Sequence, residues 1–178
     1  KLQPAPRGEG GDTKLVVCDI NNEMLKEGMR RAKEKGVSVD KVELEWVQGN
    51  AECLPFPDGS VDCLTIAFGL RNVTRTLVAL KDINRVLKKG GRFLCMEFSH
   101  LSEGAIKEAY EAYSFNVIPA MGKALAGDAQ PYEYLVESIR KFPKQEELSD
   151  MMREAGMTHV TYTNILGGVV AIHSGFKP

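Results

Sequence analysis

The chain has 178 residues, 43% of them hydrophobic, and a formal net charge of −1. That length suits one domain with a full hydrophobic core, and the near-neutral charge excludes the basic footprint of a nucleic-acid-binding protein. No apolar run reaches the length of a membrane-spanning helix.

Residues 1–13 hold two Pro and three Gly among polar residues and read as a flexible loop. The run from Lys14 to Cys18 is short, apolar and rich in β-branched residues, so it is expected to form a buried parallel strand. It ends on Asp19. A helix follows to about Lys35, with Met24, Leu25, Met29 and Ala32 on its apolar side and Gly36 as its stop. A carboxylate at the end of such a strand has two uses. It accepts hydrogen bonds from the hydroxyls of a bound ribose, or it caps the helix that follows.

Val42 to Val47 alternates apolar residues with Glu and predicts a half-exposed strand. A turn-rich loop over 49–59 leads to a strand from Val61 to Phe68. Thr74 is the expected N-cap of a helix whose apolar side carries Leu77, Leu80, Ile83, Val86 and Leu87. The segment Lys88-Lys89-Gly90-Gly91 is expected to end that helix, and Arg92 to Phe98 to form the next strand. Strand and helix alternate this far, which predicts a parallel sheet.

The segment from Ser102 to about Lys141 reads as a helical insert broken at Pro119 with Gly122 and at residues 127–131. A helix from Lys144 to Ala155 follows. Two strands, His159–Asn164 and Val169–Phe176, are joined through Gly167-Gly168, a connection short enough only for an antiparallel pair. The four cysteines, Cys18, Cys53, Cys63 and Cys95, show no metal-ligand spacing. Three fall in expected strands, which predicts buried free thiols in a reducing compartment. Met24, Met29, Met151 and Met152 read as core. His100, His159 and His173 show no ligand spacing.

Four motifs carry a resemblance. They are Asp62-Cys-Leu-Thr-Ile-Ala-Phe-Gly-Leu-Arg-Asn-Val73, Arg85-Val-Leu-Lys-Lys-Gly-Gly-Arg-Phe-Leu-Cys-Met-Glu-Phe-Ser99, Tyr134-Leu-Val-Glu-Ser-Ile-Arg-Lys-Phe-Pro143 and Ala171-Ile-His-Ser-Gly-Phe176. Together they resemble the ubiquinone/menaquinone biosynthesis C-methyltransferase family. The resemblance implies a class I, Rossmann-like α/β fold: a mostly parallel sheet closed by a terminal antiparallel hairpin. It implies a methyltransferase domain over residues 14–178 with a helical insert at 102–141. The family's first strand and its glycine-rich turn have no counterpart here, because Gly8, Gly10 and Gly11 follow no strand. The chain starts at Lys1 rather than Met and is read as an internal fragment. The strand Lys14–Cys18 is therefore expected to keep one flank open.

The resemblance implies S-adenosylmethionine as cofactor and no metal. It implies C-methylation of a polyprenyl methoxy-benzoquinol on the way to ubiquinone, in the mitochondrial branch that the Pro/Gly-rich segment before Lys14 is similar to. It also implies a homodimer, peripheral to the matrix face of the inner membrane, working with other ubiquinone-biosynthesis proteins. A prokaryotic member would lie in the cytoplasm.

Residue by residue, the resemblance gives Asp19 to the ribose diol, Asn50 and Ala51 to the adenine, and Ala67 to the cofactor side of the fourth strand. The alternatives are an Asx turn for Asn50 and a plain core position for Ala67. Arg71 is the candidate catalytic residue: its guanidinium suits a phenolate, while the bland reading is an ion pair or loop anchor. Glu97 is a weaker candidate for the proton acceptor. The apolar stretch 110–125 is expected to act as a lid, with ordinary core packing as the alternative that must account for part of it. Tyr132, Tyr134, Ser138 and Arg140 face either the quinol head or a partner subunit. Two other readings remain: a non-catalytic scaffold in the biosynthetic complex, and a nicotinamide-binding Rossmann domain.

Overall fold

The computed structural model describes residues 13–36, 42–101 and 130–178. They fall into two compact units that divide between Asn50 and Ala51. The first holds β1 (Thr13–Asp19), α1 (Asn22–Glu34) and β2 (Val42–Gln48), with the two strands parallel and in register from Thr13 opposite Val42 to Asp19 opposite Gln48. Among the described residues β1 pairs with β2 alone, so its other edge is open, and Leu15 is 51% exposed. Met24 and Met29 are exposed as well, contrary to the core role expected of them. A two-stranded sheet under one helix has room to cover little more than Leu25, which is buried. Gly36 follows the helix with φ +58°, as its stop requires.

The second unit holds β3 (Val61–Ala67), α2 (Thr76–Val86), β4 (Leu87–Phe98), α3 (Gln130–Lys141), α4 (Gln145–Glu154), β5 (Thr158–Ile165) and β6 (Val170–Phe176). Its sheet runs β3-β4-β6-β5. β3 and β4 are parallel, and β6 is antiparallel to both β4 and β5. The expected hairpin is therefore present, turning through Leu166–Gly168.

The core of this unit lies between sheet and helices. α2 buries Ala79, Leu80, Ile83 and Val86, a single stripe at helical spacing. Each large member of that stripe contributes about 1.5–3 kcal/mol by leaving water. α4 buries Leu148 and Met152, and Gly175 of β6 lies so close that an added Cβ would sit 2.9 Å from the Met152 Cε. Along β4 every second residue from Gly91 is buried, Gly91, Phe93, Cys95 and Glu97, and Ser99 just past its end continues the pattern.

Two helix boundaries depart from expectation. α2 starts at Thr76, with Arg75 rather than Thr74 at the N-cap position. The Arg75 N–H donates to Glu52 Oε1 at 2.9 Å and its Nε to Oε2 at 2.7 Å, so a carboxylate from a distant loop supplies the acceptor. At the other end α2 stops at Val86, and Lys88–Gly91 form a bulge in β4 instead of a helix cap. The backbone there is claimed by the C-terminus: Gly90 N–H donates to Lys177 O, and Lys177 N–H to Gly91 O.

The irregular segment 54–60 is pinned to α2, with Arg85 making most of the bonds. Arg85 donates from Nε and Nη2 to Asp82 at 2.7 and 3.1 Å, from Nη2 to Leu54 O at 3.0 Å, and from Nη1 to Phe56 O at 2.9 Å and Asp58 Oδ1 at 2.7 Å. Leu54 N–H returns a bond to Asp82 Oδ2 at 2.6 Å. Backbone amides join in, Gly59 N–H to Arg85 O and Ser60 N–H to Val86 O.

The cysteine expectation is corrected. All four are free, but only Cys95 is buried, while Cys53 and Cys63 are exposed. Cys63 sits on β3, whose second edge is unpaired among the described residues. The loop at 1–13 lies outside the described residues except for Thr13, as do most of the helical insert, the lid at 110–125, and the Pro119 and Gly122 break.

Candidate functional site

The first unit offers one ligand edge. Asp19 ends β1 and Gln48 ends β2, directly opposite, with Gly49 N–H donating to Asp19 O at 3.0 Å. Asn50 follows, exposed, so Asp19 and Asn50 share the carboxyl edge of the same parallel pair, where open α/β sheets bind ligands. Asp19 does not cap α1. The N-cap is Asn21, whose side chain accepts from Glu23 N–H at 2.9 Å. Asp19 Oδ1 accepts from Asn21 N–H at 2.7 Å, and Oδ2 takes no partner among the described residues. A half-exposed carboxylate with one oxygen fixed and one uncommitted fits a ribose diol.

The second unit has the corresponding edge on β3 and β4. Ala67, exposed, ends β3, and Phe68 leaves it with φ +54°, a left-handed conformation that a bulky residue seldom adopts. The turn it opens carries Leu70–Asn72 as a short 3-10 helix and brings Arg71 back over the sheet. Arg71 Nη1 donates to Phe68 O and to Glu97, at 3.0 Å to Oε2 and 3.3 Å to Oε1. Glu97 also accepts from Arg71 N–H at 3.3 Å and Phe98 N–H at 3.1 Å. The Arg71 side chain is 12% exposed and that of Glu97 1%. The guanidinium lies 5.5 Å from the centre of the Phe98 ring.

Arg71 is thus ion-paired, as its bland reading had it. Yet its fork is only partly spent. Nε is buried without a partner, and Nη2 donates to nothing among the described residues. Glu97 is placed differently from the weak expectation of a proton acceptor. Both of its oxygens are committed to Arg71 and to backbone N–H, and it is sealed from solvent, so its position serves to hold Arg71. The signal for that was available: Glu97 occupies the buried phase of β4, two residues after Cys95 and four after Phe93.

Ala51 is half-buried at the start of the loop that Arg85 pins. Two of the motif residues after Gln130 come together. Tyr134 donates from Oη to Asn72 Oδ1 at 3.0 Å, and the Ser138 hydroxyl to Leu135 O at 2.9 Å. Both line a cavity of about 290 Å³ together with Arg71. Of the histidines, His173 is buried. Its Nε2 meets Gln145 O at 2.9 Å, its ring lies 5.4 Å from Tyr162, and its Nδ1 has no partner.

Comparison with solved structures gives the fold. A methyltransferase from Thermotoga maritima, described as S-adenosylmethionine-dependent and a possible histamine N-methyltransferase, superposes with a TM-score of 0.62. It is 20% identical, covering 92% of this chain and 72% of that one. The fold is that of a class I S-adenosylmethionine-dependent methyltransferase. Residues 5–177 match the ubiE/COQ5 methyltransferase family, and the chain belongs to it. A protein of Oryza sativa subsp. japonica named 2-methoxy-6-polyprenyl-1,4-benzoquinol methylase, mitochondrial, is 56% identical over 93% of this chain and 56% of its own length. The protein of that name from Gallus gallus is 56% identical over 94% of this chain and 53% of its own length. The chain spans about half the length of the curated relatives it matches.

Proposed function

We propose that the chain acts in S-adenosylmethionine-dependent C-methylation of a polyprenyl methoxy-benzoquinol in ubiquinone biosynthesis. Family membership and the names of its relatives support this reading. The observation that carries it is Arg71, locked by Glu97 at the carboxyl edge of β3 and β4 with part of its fork uncommitted. Asp19, Asn50, Ala51 and Ala67 are the proposed cofactor contacts. Asp19 Oδ2 would receive the ribose hydroxyls, Asn50 and Ala51 would lie beside the adenine, and Ala67 would contribute backbone.

When bound, the cofactor would supply an electrophilic methyl carried on a sulfonium, to be exchanged for one proton of the quinol ring. The protein's task is to make that ring electron-rich. Arg71 stabilises the quinol oxygen as its proton leaves, because a fixed guanidinium fork needs no reorganisation when the charge develops. The proton itself goes to water at this edge, since a guanidinium offers donors and no acceptor and Glu97 is enclosed.

The remaining parts of the proposal are a mitochondrial location on the matrix face of the inner membrane, held peripherally, a homodimer, and contacts with other ubiquinone-biosynthesis proteins. Among the described residues no helix is long and apolar enough to cross a membrane.

Methylation of the quinol by the full-length protein, followed by mass spectrometry, tests the activity. Cofactor binding measured beside it separates the readings: binding without methyl transfer to any quinol would favour the scaffold role and reject the enzyme.

A further inference from the structure

We infer that the cavity between the Arg71–Thr76 segment and α3 is the subsite for the oxygenated ring of the acceptor, with Tyr134 as its selecting residue. This rests on the methyltransferase reading above and specifies where its substrate's head sits.

The volume is the first argument. At about 290 Å³ the cavity lies at the small end of ligand sites and suits a single substituted ring. The walls are the second. Thr74, Thr76, Tyr134 and Ser138 present hydroxyls, and the Glu137–Lys141 ion pair adds charge, so an apolar polyprenyl tail would be poorly matched there. Val73 and Phe142 supply apolar surface for the ring.

The third argument is Arg71, which lines the cavity and keeps Nη2 without a partner among the described residues, while Nη1 is consumed by Glu97 and Phe68 and Nε is enclosed by protein. A ring oxygen that becomes anionic is the acceptor this fork lacks. Tyr134 joins the arrangement from the other side. Its hydroxyl bonds Asn72, the residue after Arg71, and so ties α3 to the turn that presents the guanidinium. The remaining lone pair of that hydroxyl accepts from a quinol O–H and has nothing to accept from a methyl ether. The site therefore distinguishes a free quinol from its O-methylated form, because an ether leaves the polar wall unpaired.

The test uses the full-length protein and tail-less 2-methoxy-1,4-benzoquinol under anaerobic calorimetry, with its di-O-methyl ether as comparison. Tyr134→Phe should weaken quinol binding about tenfold, the worth of one hydrogen bond, and reduce preference over the ether by a similar factor. Thr74→Trp, at an exposed position on the rim, should fill the cavity and weaken quinol binding by about a hundredfold or more. S-adenosylmethionine affinity and melting temperature should stay at wild-type values in both. Quinol affinity and ether discrimination equal to wild type in both variants, with wild-type methylation intact, overturns the subsite and leaves the proposed function standing. A wild-type protein that binds the cofactor but no quinol overturns both.

Discussion

The Asp19 edge and the Arg71 edge both lie at the carboxyl ends of parallel strand pairs, yet they are built in opposite ways. Asp19 is half-exposed and held by a residue two positions on, Asn21. Arg71 is nearly closed over and held by a residue 26 positions away, Glu97. The first is a local device that solvent can stand in for. The second is a charge pair largely enclosed by protein, where loss of one member leaves the other without its counter-ion. The difference teaches that an edge position says where a ligand binds, while burial says how much of the fold depends on the residue that binds it.

The largest effect should come from breaking the enclosed pair. Glu97→Ala should cost about 3–5 kcal/mol of stability, the cost of removing one member of a buried ion pair, read as a large fall in denaturation midpoint. A midpoint within error of wild type would mean that the Arg71 edge opens to solvent and the contrast is false.

Arg71→Lys keeps the charge and loses the fork. The expected result is a fall in turnover of about 10²–10³, the usual cost of one lost donor at a developing oxyanion, with cofactor affinity unchanged. An equal loss of cofactor affinity would assign Arg71 to its loop instead.

Asp19→Ala should act on the cofactor instead of the fold. Binding should weaken by about 1.5–3 kcal/mol for each charged hydrogen bond lost, with little change in melting temperature, because Asn21 still caps α1. Unchanged affinity would remove Asp19 from the site.

The smallest effect is a slope. Burial pushes the His173 imidazole below its ordinary value, against the opposing influence of the Gln145 carbonyl and the Glu146 charge. The unfolded chain therefore takes up that proton first, at about pH 6.5, and stability contributed by neutral His173 falls as pH drops below it. His173→Gln should flatten the acid side of the stability curve measured from pH 7 to 5.

Much of the fold was legible because its signals are local. Gly36, the alternation in β2 and the short Gly167-Gly168 connection each act within a few residues, and each element stands where its pattern put it. The departures come from partners distant in sequence. Glu52 moves the start of α2, Lys177 converts the expected cap at Lys88–Gly91 into a bulge, and a small first unit leaves Met24 and Met29 uncovered. The site divides likewise. Asp19 and Arg71 were visible at strand ends. The pairing of Arg71 with Glu97, and of Tyr134 with Asn72, joins residues 26 and 62 positions apart, and no spacing rule reaches that far.

Arg85 gives the segment 54–60 a property that its irregular backbone conceals. The amides of Leu54, Gly59 and Ser60 donate to Asp82 and to the carbonyls of Arg85 and Val86, and the Arg85 guanidinium takes two carbonyls of the same segment. Those amides open only when the end of α2 opens. In deuterated solvent they should exchange on the timescale of the helix, as one cooperative block with it, instead of at the rate of a surface loop.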